Sequence, residues 1–233
     1  MRSGNWRNVF DSSIGFVRGR YTNGPWAPPF APSKRESFIT EGVPWQYPFF
    51  VPQDVNGLIA ASGGSAKFIA KLDGLFANNL YDQGNEPSHG IAYLYTRAGA
   101  PWKTQQHVRD ILLTQFGTGP GGLPGNDDAG QMSAWYVIAA AGIHPICPGD
   151  QRYEITSQVF TPLPFKFPAP YSTGKSFTII AKNNSKDNVY IQSAKLNGKT
   201  YNKCYLMHSD IAKGGTLELV MGPTPNKSWG VVE

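Results

Sequence analysis

Residues 54–76, DVNGLIAASGGSAKFIAKLDGLF, form a long run of regularly spaced apolar residues. Phe68, Leu72 and Leu75 recur at the spacing that places side chains on one face of a helix. A Gly-Gly pair at 63–64 interrupts the run, and glycine destabilises a helix interior by about 1 kcal/mol relative to alanine. The stretch therefore predicts two consecutive helices that meet at the glycine pair.

Three further segments toward the C-terminus have helical character. Glu86–Ala98 has Pro87 in its first turn and is followed by Gly99, which suits a helix end. Trp102–Phe116 is amphipathic, whereas Asp128–Ala141 (DAGQMSAWYVIAAA) is apolar on most sides. We expect three more helices, of which the last is buried.

Segments after Cys147 are rich in β-branched residues and alternate partly between apolar and polar side chains. They are 176–182 (SFTIIAK), 189–196 (VYIQSAKL) and 216–222 (TLELVMG). An Asn-Gly pair at 197–198 predicts a tight hairpin turn. The chain is helical first and β second, with the change near residues 146–152. This order predicts an α+β fold of more than one region and argues against a βαβ sheet.

The composition is that of a folded protein. Of the 233 residues, 40% are hydrophobic and 13% aromatic, which excludes a disordered, charge-rich chain. No apolar run approaches the roughly 18 to 20 residues that span a bilayer. The net charge of +5 is not gathered into a basic cluster, so we expect neither a nucleic-acid partner nor a membrane.

Two features bear on the cellular compartment. The N-terminal residues lack the apolar core of a signal peptide, so none is expected in this chain. Cys147 and Cys204 are too few for a disulfide framework or a zinc cage. Either a single pairing or two free thiols fits this number.

The first 50 residues are rich in proline, glycine and aromatic residues, and we expect irregular backbone there. Glu41 lies in this region, within TEGVPWQYPFFVPQDV (40–55), beside Trp45, Tyr47 and Phe49. Aromatic neighbours that remove water from a carboxyl group raise its pKa, which suits a general acid at neutral pH. The alternative is an ordinary exposed glutamate in a loop.

The sequence GNEPSH at 84–89 begins the helix predicted from Glu86 onward. Asn85, Glu86 and His89 are residue types that hydrogen-bond sugar hydroxyls, and the oxygen ligands among them suit a hard cation such as Ca2+. Alternatively, Asn85 caps the helix, and Glu86 is favoured there by the helix dipole.

A second acidic segment, LPGNDDAGQ at 123–131, contains Asn126, Asp127 and Asp128. Neighbouring carboxylates repel each other, so this pair indicates a bound cation, a shifted pKa or simple solvent exposure. A helix cap accounts for one aspartate but not for the whole loop. Carboxylates among many aromatic residues are typical of sugar binding, whereas the sequence contains no GxSxG, HExxH, GxGxxG or P-loop signature.

Several segments closely resemble glycoside hydrolase family 92, the calcium-dependent exo-α-mannosidases. They are RSGNWRNVFD (2–11), EGVPWQYPFFVPQDVNGLI (41–59), GNEPSHGIAYLY (84–95), PWKTQQHVRDIL (101–112), GLPGNDDAGQMSAWYVIAAAGIHPICPG (122–149) and GGTLELVMGPTPNKSWG (214–230). The resemblance extends over essentially the whole chain. EGVPWQY and GNDDAGQMSAWY are its most specific motifs.

The resemblance implies calcium-assisted, inverting hydrolysis of terminal α-mannosides, chiefly α-1,2-linked, on an oligosaccharide or N-glycan. The family fold is an N-terminal β-sandwich, an (α/α)6 six-hairpin barrel and C-terminal β structure. Residues 1–147 are then a partial barrel with the catalytic region, and residues 148–233 are a C-terminal β-sandwich-like region. The N-terminal sandwich is expected in a full-length chain, and an extracellular, secretory or periplasmic location is implied.

The resemblance also implies roles for single residues by their places in the motifs. Glu41 matches the general acid, and Asp128 is favoured as the general base with Asp127 as its neighbour. An inverting site holds its two carboxyl groups roughly 6.5 to 9.5 Å apart around a water. The other matches are Glu86 and Asn85 near the metal, and Trp45, Gln46, His89 and Asn126 near the sugar.

Three departures from the family pattern favour a second hypothesis. Gly90 stands where the family commonly has a second histidine, Gln53 replaces the histidine of PHDV, and the connection at 77–83 is short. On this alternative, the chain is a catalytically inactive remnant that at most binds mannosides or a partner chain. A structural calcium-bound domain without turnover is a third interpretation.

Overall fold

The computed structural model describes residues 2–22, 24–168, 170 and 176–231. The chain divides into two compact units, Met1–Ile91 (unit 1) and Ala92–Glu233 (unit 2). The predicted domain boundary at 147–148 falls within unit 2. It remains a prediction about the domains of the family.

Unit 1 combines short 3-10 helices with a small hairpin and α-helices. Its 3-10 helices are Arg2–Asn8, Tyr47–Phe49, Pro52–Asp54 and Glu86–Ser88. β1 (Phe10–Asp11) pairs antiparallel with β2 (Phe16–Val17), α1 is Val55–Ala61 and α2 is Ser65–Ala77. The two predicted helices and the break at 63–64 are confirmed, and both glycines of the break have left-handed φ angles of 86° and 95°.

The inner face of α2 forms much of the core of unit 1. Phe68, Leu72 and Leu75 are buried, and the Phe49 ring packs edge-on against Phe68 with centroids 5.6 Å apart. Each such side chain contributes about 1.5 to 3 kcal/mol when it leaves water. Asp54 begins α1, because its Oδ1 accepts a hydrogen bond from the backbone N–H three residues later, at 3.0 Å.

The helix predicted from Glu86 to Ala98 is not continuous. The chain forms 3-10 turns at Glu86–Ser88 and Ile91–Tyr93, followed by one short α-helix, α3, at Leu94–Arg97. Gly90 lies between the two turns, where glycine lowers helix stability and no side chain can pack to offset that cost. The predicted end at Gly99 is confirmed, with a φ of 87°.

In unit 2, α-helices precede the strands as predicted, except for one short helix between the last two strands. Its helices after α3 are α4 (Pro101–Thr114), α5 (Gln131–Ala140) and α6 (His208–Ala212). Its strands are β3 (Ile143–His144), β4 (Arg152–Ile155), β5 (Leu163–Lys166), β6 (Ser176–Lys182), β7 (Tyr190–Leu196), β8 (Lys199–Thr200), β9 (Tyr205–Met207) and β10 (Gly215–Gly222). The order β5-β6-β10-β7-β8 forms one sheet, and β3-β4-β9 forms another.

The larger sheet contains the three strands expected from the sequence. β10 runs parallel to β6 and antiparallel to β7, and alternate residues such as Phe177, Ile179 and Leu217 are fully buried. The predicted hairpin joins β7 to β8. Asn197 and Gly198 have φ angles of 51° and 78°, which is the conformation that a two-residue turn of this kind requires.

Buried polar side chains fasten α4 to the sheet. Oε1 of Gln105 accepts a hydrogen bond from the N–H of Ile191 at 2.8 Å. Nη2 of Arg109 donates to Oγ of Ser157 at 2.8 Å and to Oδ1 of Asn184 at 2.7 Å. Because buried donors and acceptors are costly when unpaired, these bonds specify how the helix lies on the strands.

α5 differs from its prediction in two respects. It begins at Gln131 rather than Asp128, because residues 128–130 all have positive φ angles. It is also not buried on every side, since the Val137 side chain is 62% exposed. The mixed α and β character is confirmed, whereas the barrel and sandwich assignments stay predictions. Within the described ranges, no helix is long and apolar enough to cross a membrane.

Candidate active site

Glu41 lies on an exposed bend of unit 1. The aromatic residues expected to shield it pack elsewhere: Phe49 contacts Phe68 in the core, and the Trp45 ring meets Phe16 edge-on at 5.1 Å. The predicted desolvation of the carboxyl group is therefore not observed. Glu41 is instead an exposed residue of the loop, which is the alternative that the sequence left open.

Gln46 closes the loop that carries Glu41. The side chain is 6% exposed, its Oε1 accepts a hydrogen bond from the N–H of Val43 at 3.0 Å, and its Nε2 donates to the carbonyl of Leu80 at 2.9 Å. The carboxamide assigned to the sugar by sequence thus bonds within the protein. It joins the Glu41 loop to the segment that follows α2.

Gly42 lets the same loop pass close to its neighbours. Its φ of 67° lies in the left-handed region, where glycine is favoured. A Cβ at this position would collide with Oε1 of Gln46 and lie 3.6 Å from Nδ2 of Asn85. The structure therefore brings together, within unit 1, the Glu41 loop and the 84–89 turn.

Lys71, on α2, is a residue near this loop that the sequence analysis missed. Its Nζ lies 3.4 Å from the centroid of the Phe16 ring and 5.8 Å from that of Trp45. Burial lowers the pKa of Lys71 to about 7, and the attraction between an ammonium and aromatic faces opposes that shift. The signal available in the sequence was its position next to Leu72, which belongs to the apolar face predicted for this helix.

The 84–89 turn presents several buried polar groups. Asn85 is 9% exposed and makes no side-chain capping hydrogen bond, so the predicted cap is not observed. His89 is buried, with Nε2 3.2 Å from the carbonyl oxygen of Gln83. Burial lowers the pKa of His89, while that hydrogen bond and the charge of Glu86 raise it; the net lowering favours a neutral ring at pH 7.

The donor set of this turn fits part of a calcium site. Oε1 of Glu86 and Oγ of Ser88 are buried and have no hydrogen-bond partner among the described residues. Oxygen atoms are the ligands Ca2+ prefers, and it takes six to eight of them. Within the described ranges, no group of three or more His, Cys, Asp or Glu side chains is placed to bind a metal. Glu86 and Asn85 would therefore be a minority of the ligands.

In unit 2, Asp127 stabilises the start of α5. The backbone N–H of Ser133 donates to Oδ1 at 2.7 Å, and its hydroxyl donates to Oδ2 at 2.8 Å. These two hydrogen bonds lower the pKa of Asp127. The one aspartate that a helix cap was expected to explain is thus Asp127.

Asp128 has a different environment from its neighbour. It is exposed, and its φ of 36° is followed by 58° at Ala129 and 86° at Gly130. Positive φ is uncommon for residues other than glycine, although Asp and Asn adopt it more readily than most. Asn126, on the other side of Asp127, is exposed as well.

A stack of rings supports the helix behind the acidic loop. Trp135, 1% exposed, lies parallel to Phe116 with centroids 5.6 Å apart, and Tyr93 stacks on His144 at 4.4 Å. Aromatic pairs of this kind contribute about 0.5 to 1.5 kcal/mol beyond the area that they bury. The loop bearing Asp127 and Asp128 therefore leads into a helix that is anchored by a buried, stacked tryptophan.

Comparison with known proteins identifies relatives of the whole chain. The family model described as "Glycosyl hydrolase family 92 catalytic domain" matches residues 1–223. An uncharacterised secreted glycosidase of Arthroderma benhamiae is 37% identical over 254 residues, which cover 98% of this chain and 32% of the relative.

Solved structures agree with the sequence match. A family 92 α-mannosidase of Bacteroides thetaiotaomicron in complex with mannoimidazole superposes with a TM-score of 0.90 at 35% identity, over 97% of this chain and 32% of that one. A family 92 inverting mannosidase of the same organism gives 0.90 at 33% identity, over 98% and 34%. The chain thus spans about a third of the length of these relatives.

Proposed function

Because the chain belongs to glycosyl hydrolase family 92, we propose that it carries the acid, the base and part of the calcium site of an α-mannosidase. The substrate is terminal α-mannose, chiefly α-1,2-linked, on an oligosaccharide or N-glycan. Since the chain spans about a third of its relatives, the proposal concerns an activity to which these residues contribute. The mannoimidazole bound by one relative supports a mannose-like ligand.

The division of roles inside the acidic loop carries this proposal. A general base needs a carboxylate oxygen free to accept a proton from water. Both oxygens of Asp127 already accept hydrogen bonds from Ser133, whereas Asp128 is exposed. We therefore assign Asp128 as the base and Asp127 as the residue that holds the loop on α5.

Glu41 is assigned as the general acid, and the proton balance is that of an inverting hydrolysis. Glu41 gives its proton to the departing glycosidic oxygen, while Asp128 takes a proton from the water that attacks the anomeric carbon from the opposite face. The water oxygen becomes the new hydroxyl, so an α-mannoside yields β-mannose. One of the related structures is described as an inverting mannosidase, which supports this stereochemistry.

Glu86 and Asn85 are the residues proposed to hold Ca2+. When bound, the ion supplies positive charge that orients and polarises sugar hydroxyls. Glu86 offers a carboxylate oxygen that is buried and unpaired among the described residues, and calcium would satisfy it. Neutral His89 then hydrogen-bonds the sugar or its own turn without repelling the cation.

Trp45 and Asn126 complete the proposed sugar contacts. The Trp45 ring is half-buried against Phe16, so that part of it remains available to an apolar sugar face. Asn126 is exposed beside the acidic pair and has both a donor and an acceptor for hydroxyl groups.

An inactive remnant is the second candidate. Gln53, at the position of the family's histidine, is exposed and donates to the carbonyl of Ser3 at 3.3 Å, and Gly90 offers no side chain at all. On this view, the chain retains mannoside or partner binding without turnover. In either case, residues 1–147 are proposed as part of the hairpin barrel and 148–233 as the C-terminal β region, and a full-length enzyme is proposed to be secreted.

The deciding experiment is hydrolysis of α-1,2-mannobiose by this chain and by a full-length family member, with and without a calcium chelator. We expect release of β-mannose as the first product in proton NMR and loss of turnover when calcium is removed. Initial formation of the α anomer would contradict the inverting assignment. Turnover by the longer protein only, with mannoside binding retained by this chain, would favour the remnant.

A further inference from the structure

We propose that Gln46 is a positioning residue, which sets the place of the Glu41 loop against the segment leading into the 84–89 turn. This role replaces the direct sugar contact that the motif position implied, and it rests on the proposed function of Glu41. The residues that carry the inference all lie in unit 1, so its geometry is that of one compact unit.

The carboxamide bridges two segments that are far apart in sequence. Oε1 accepts from the N–H of Val43, two residues after Glu41, and Nε2 donates to the carbonyl of Leu80, 34 residues after Gln46. The Leu80 N–H donates in turn to the carbonyl of Leu75 at the end of α2, at 3.0 Å. The Glu41 loop is thereby tied to the C-terminal part of α2, whose inner face is buried.

The same bridge reaches the proposed calcium turn. Tyr81 follows Leu80, and its hydroxyl donates to Oε1 of Gln83 at 2.5 Å and lies 3.5 Å from the carbonyl oxygen of Ser88. A displacement of Leu80 would therefore move the turn that contains Glu86. Gln46 is the side chain that makes the loop and the turn move together.

Steric constraint around Gln46 argues against a second role at the sugar. The side chain is 6% exposed, and both ends of its amide group are already bonded. Gly42 has no Cβ, which leaves the space that Oε1 of Gln46 occupies. Turning the amide toward a ligand would break two buried hydrogen bonds.

The test variant is Gln46→Met, which keeps the approximate side-chain volume and removes both hydrogen bonds. The matched control is Gln115→Met, at an exposed glutamine of unit 2. Amide hydrogen exchange of this chain is measured by NMR. We expect the Val43 N–H of Gln46→Met to exchange at least about 10-fold faster, because its acceptor is gone. Equal exchange rates in the parent and Gln46→Met would overturn the proposal, whether or not the chain turns over mannosides.

The kinetic arm uses the same substitutions in an active family 92 protein that contains this segment. Misplacement of a reacting group by about 1 Å costs about 100-fold in rate, so we expect Gln46→Met to lower kcat by that order while KM changes less than about threefold. A large rise in KM with unchanged kcat would instead mean that Gln46 binds the sugar, and would overturn the positioning role.

Gln46→Glu separates the hydrogen-bond pattern from general loss of folding. A protonated carboxyl group reproduces both bonds, because its C=O accepts from Val43 and its O–H donates to Leu80. The ionised form cannot donate. We expect Val43 protection to persist in Gln46→Glu at every pH, because either form of the carboxyl group accepts from its N–H. We expect kcat, relative to the parent at the same pH, to recover as the pH falls in Gln46→Glu, because only the protonated form donates to Leu80, and no such recovery in Gln46→Met. Recovery in neither variant would contradict the proposal, provided that circular dichroism shows both variants folded.

Discussion

Ser133 holds both carboxylate oxygens of Asp127, one through its backbone N–H and one through its hydroxyl. The next residue, Asp128, is exposed and has a left-handed backbone. The two aspartates are the same residue type in the sequence, but their side chains have different environments in the structure. Asp127 is held at the start of a helix by two hydrogen bonds, and Asp128 is exposed to solvent.

The first prediction concerns the pKa of Asp127. Hydrogen bonds from Ser133 lower it below its ordinary value of 3.8. A lowered folded-state pKa contributes stability above the unfolded-state value, and that stability is lost as the pH falls through the folded-state pKa. Carboxyl-carbon NMR titration should give a pKa for Asp127 below its ordinary value of 3.8. Ser133→Ala should raise the Asp127 value; no change in Ser133→Ala would contradict the cap.

The second prediction separates the two aspartates by kinetics in an active family 92 protein with this loop. Asp128→Asn should lower kcat by about 100-fold to 10,000-fold, the range typical of general acid–base catalysis. Its melting temperature should stay close to that of the parent, because asparagine also adopts left-handed backbone readily. Asp127→Asn should reduce the melting temperature more than Asp128→Asn does. If Asp127→Asn removes turnover while its fold is intact, the base assignment is wrong.

Lys71 gives a prediction about stability against pH. Its pKa is about 7 in the folded chain, lowered by burial from its ordinary value of 10.5. Between these values the unfolded state binds more protons, so stability should rise with pH from about 7 to 10.5.

Lys71→Met should flatten this rise. The measurement is a series of thermal melts between about pH 6 and pH 10, at intervals of roughly one pH unit. Lys67→Met, at an exposed lysine on the same helix, is the matched control and should keep the rise. An unchanged pH profile in Lys71→Met would mean that the ammonium remains charged against the Phe16 ring.

The fourth prediction tests the ion pairs that join α3 to β4. Glu154 is fully buried, and it accepts hydrogen bonds from Nε of Arg97 at 2.8 Å and from Nη2 of Arg152 at 2.9 Å. Arg97 also reaches the more exposed Asp150 at 3.1 Å. Glu154→Gln removes the charge that compensates two guanidinium groups and should cost about 3 to 5 kcal/mol in urea unfolding. Asp150→Asn should cost less than about 1 kcal/mol. Similar losses of unfolding free energy in the two variants would contradict the prediction that the buried carboxylate contributes more stability than the exposed one.

Local patterns in the sequence were sufficient for the regular elements. The spacing of Phe68, Leu72 and Leu75 predicted α2, and Asn197-Gly198 predicted the turn between β7 and β8. Both depend on residues within a few positions of one another. The continuous helix predicted from Glu86 to Ala98 is not formed. Gly90 lowers helix stability there, and local propensity could not show that the surrounding turns would be packed on several sides.

The identity of the candidate residues was likewise present in the motifs, but their environments were not. Glu41 was expected either to be shielded by Trp45, Tyr47 and Phe49 or to be an exposed loop residue. It is exposed, and the Trp45 and Phe49 rings pack against Phe16 and Phe68. The burial of Lys71 was not predicted, because a lysine on a helix is ordinarily exposed. Burial depends on partners that are distant in the chain, and one sequence does not name them.

The sequence alone determined which residue types are available, where helices and strands form, and which family the motifs resemble. Only the tertiary structure decided what each polar side chain does. The Gln46 amide reaches Leu80 across 34 residues, and hydrogen bonds from Ser133 distinguish Asp127 from the exposed Asp128. Periodicity is a local property of the backbone, whereas a hydrogen-bond partner is chosen by how the folded chain brings distant atoms together.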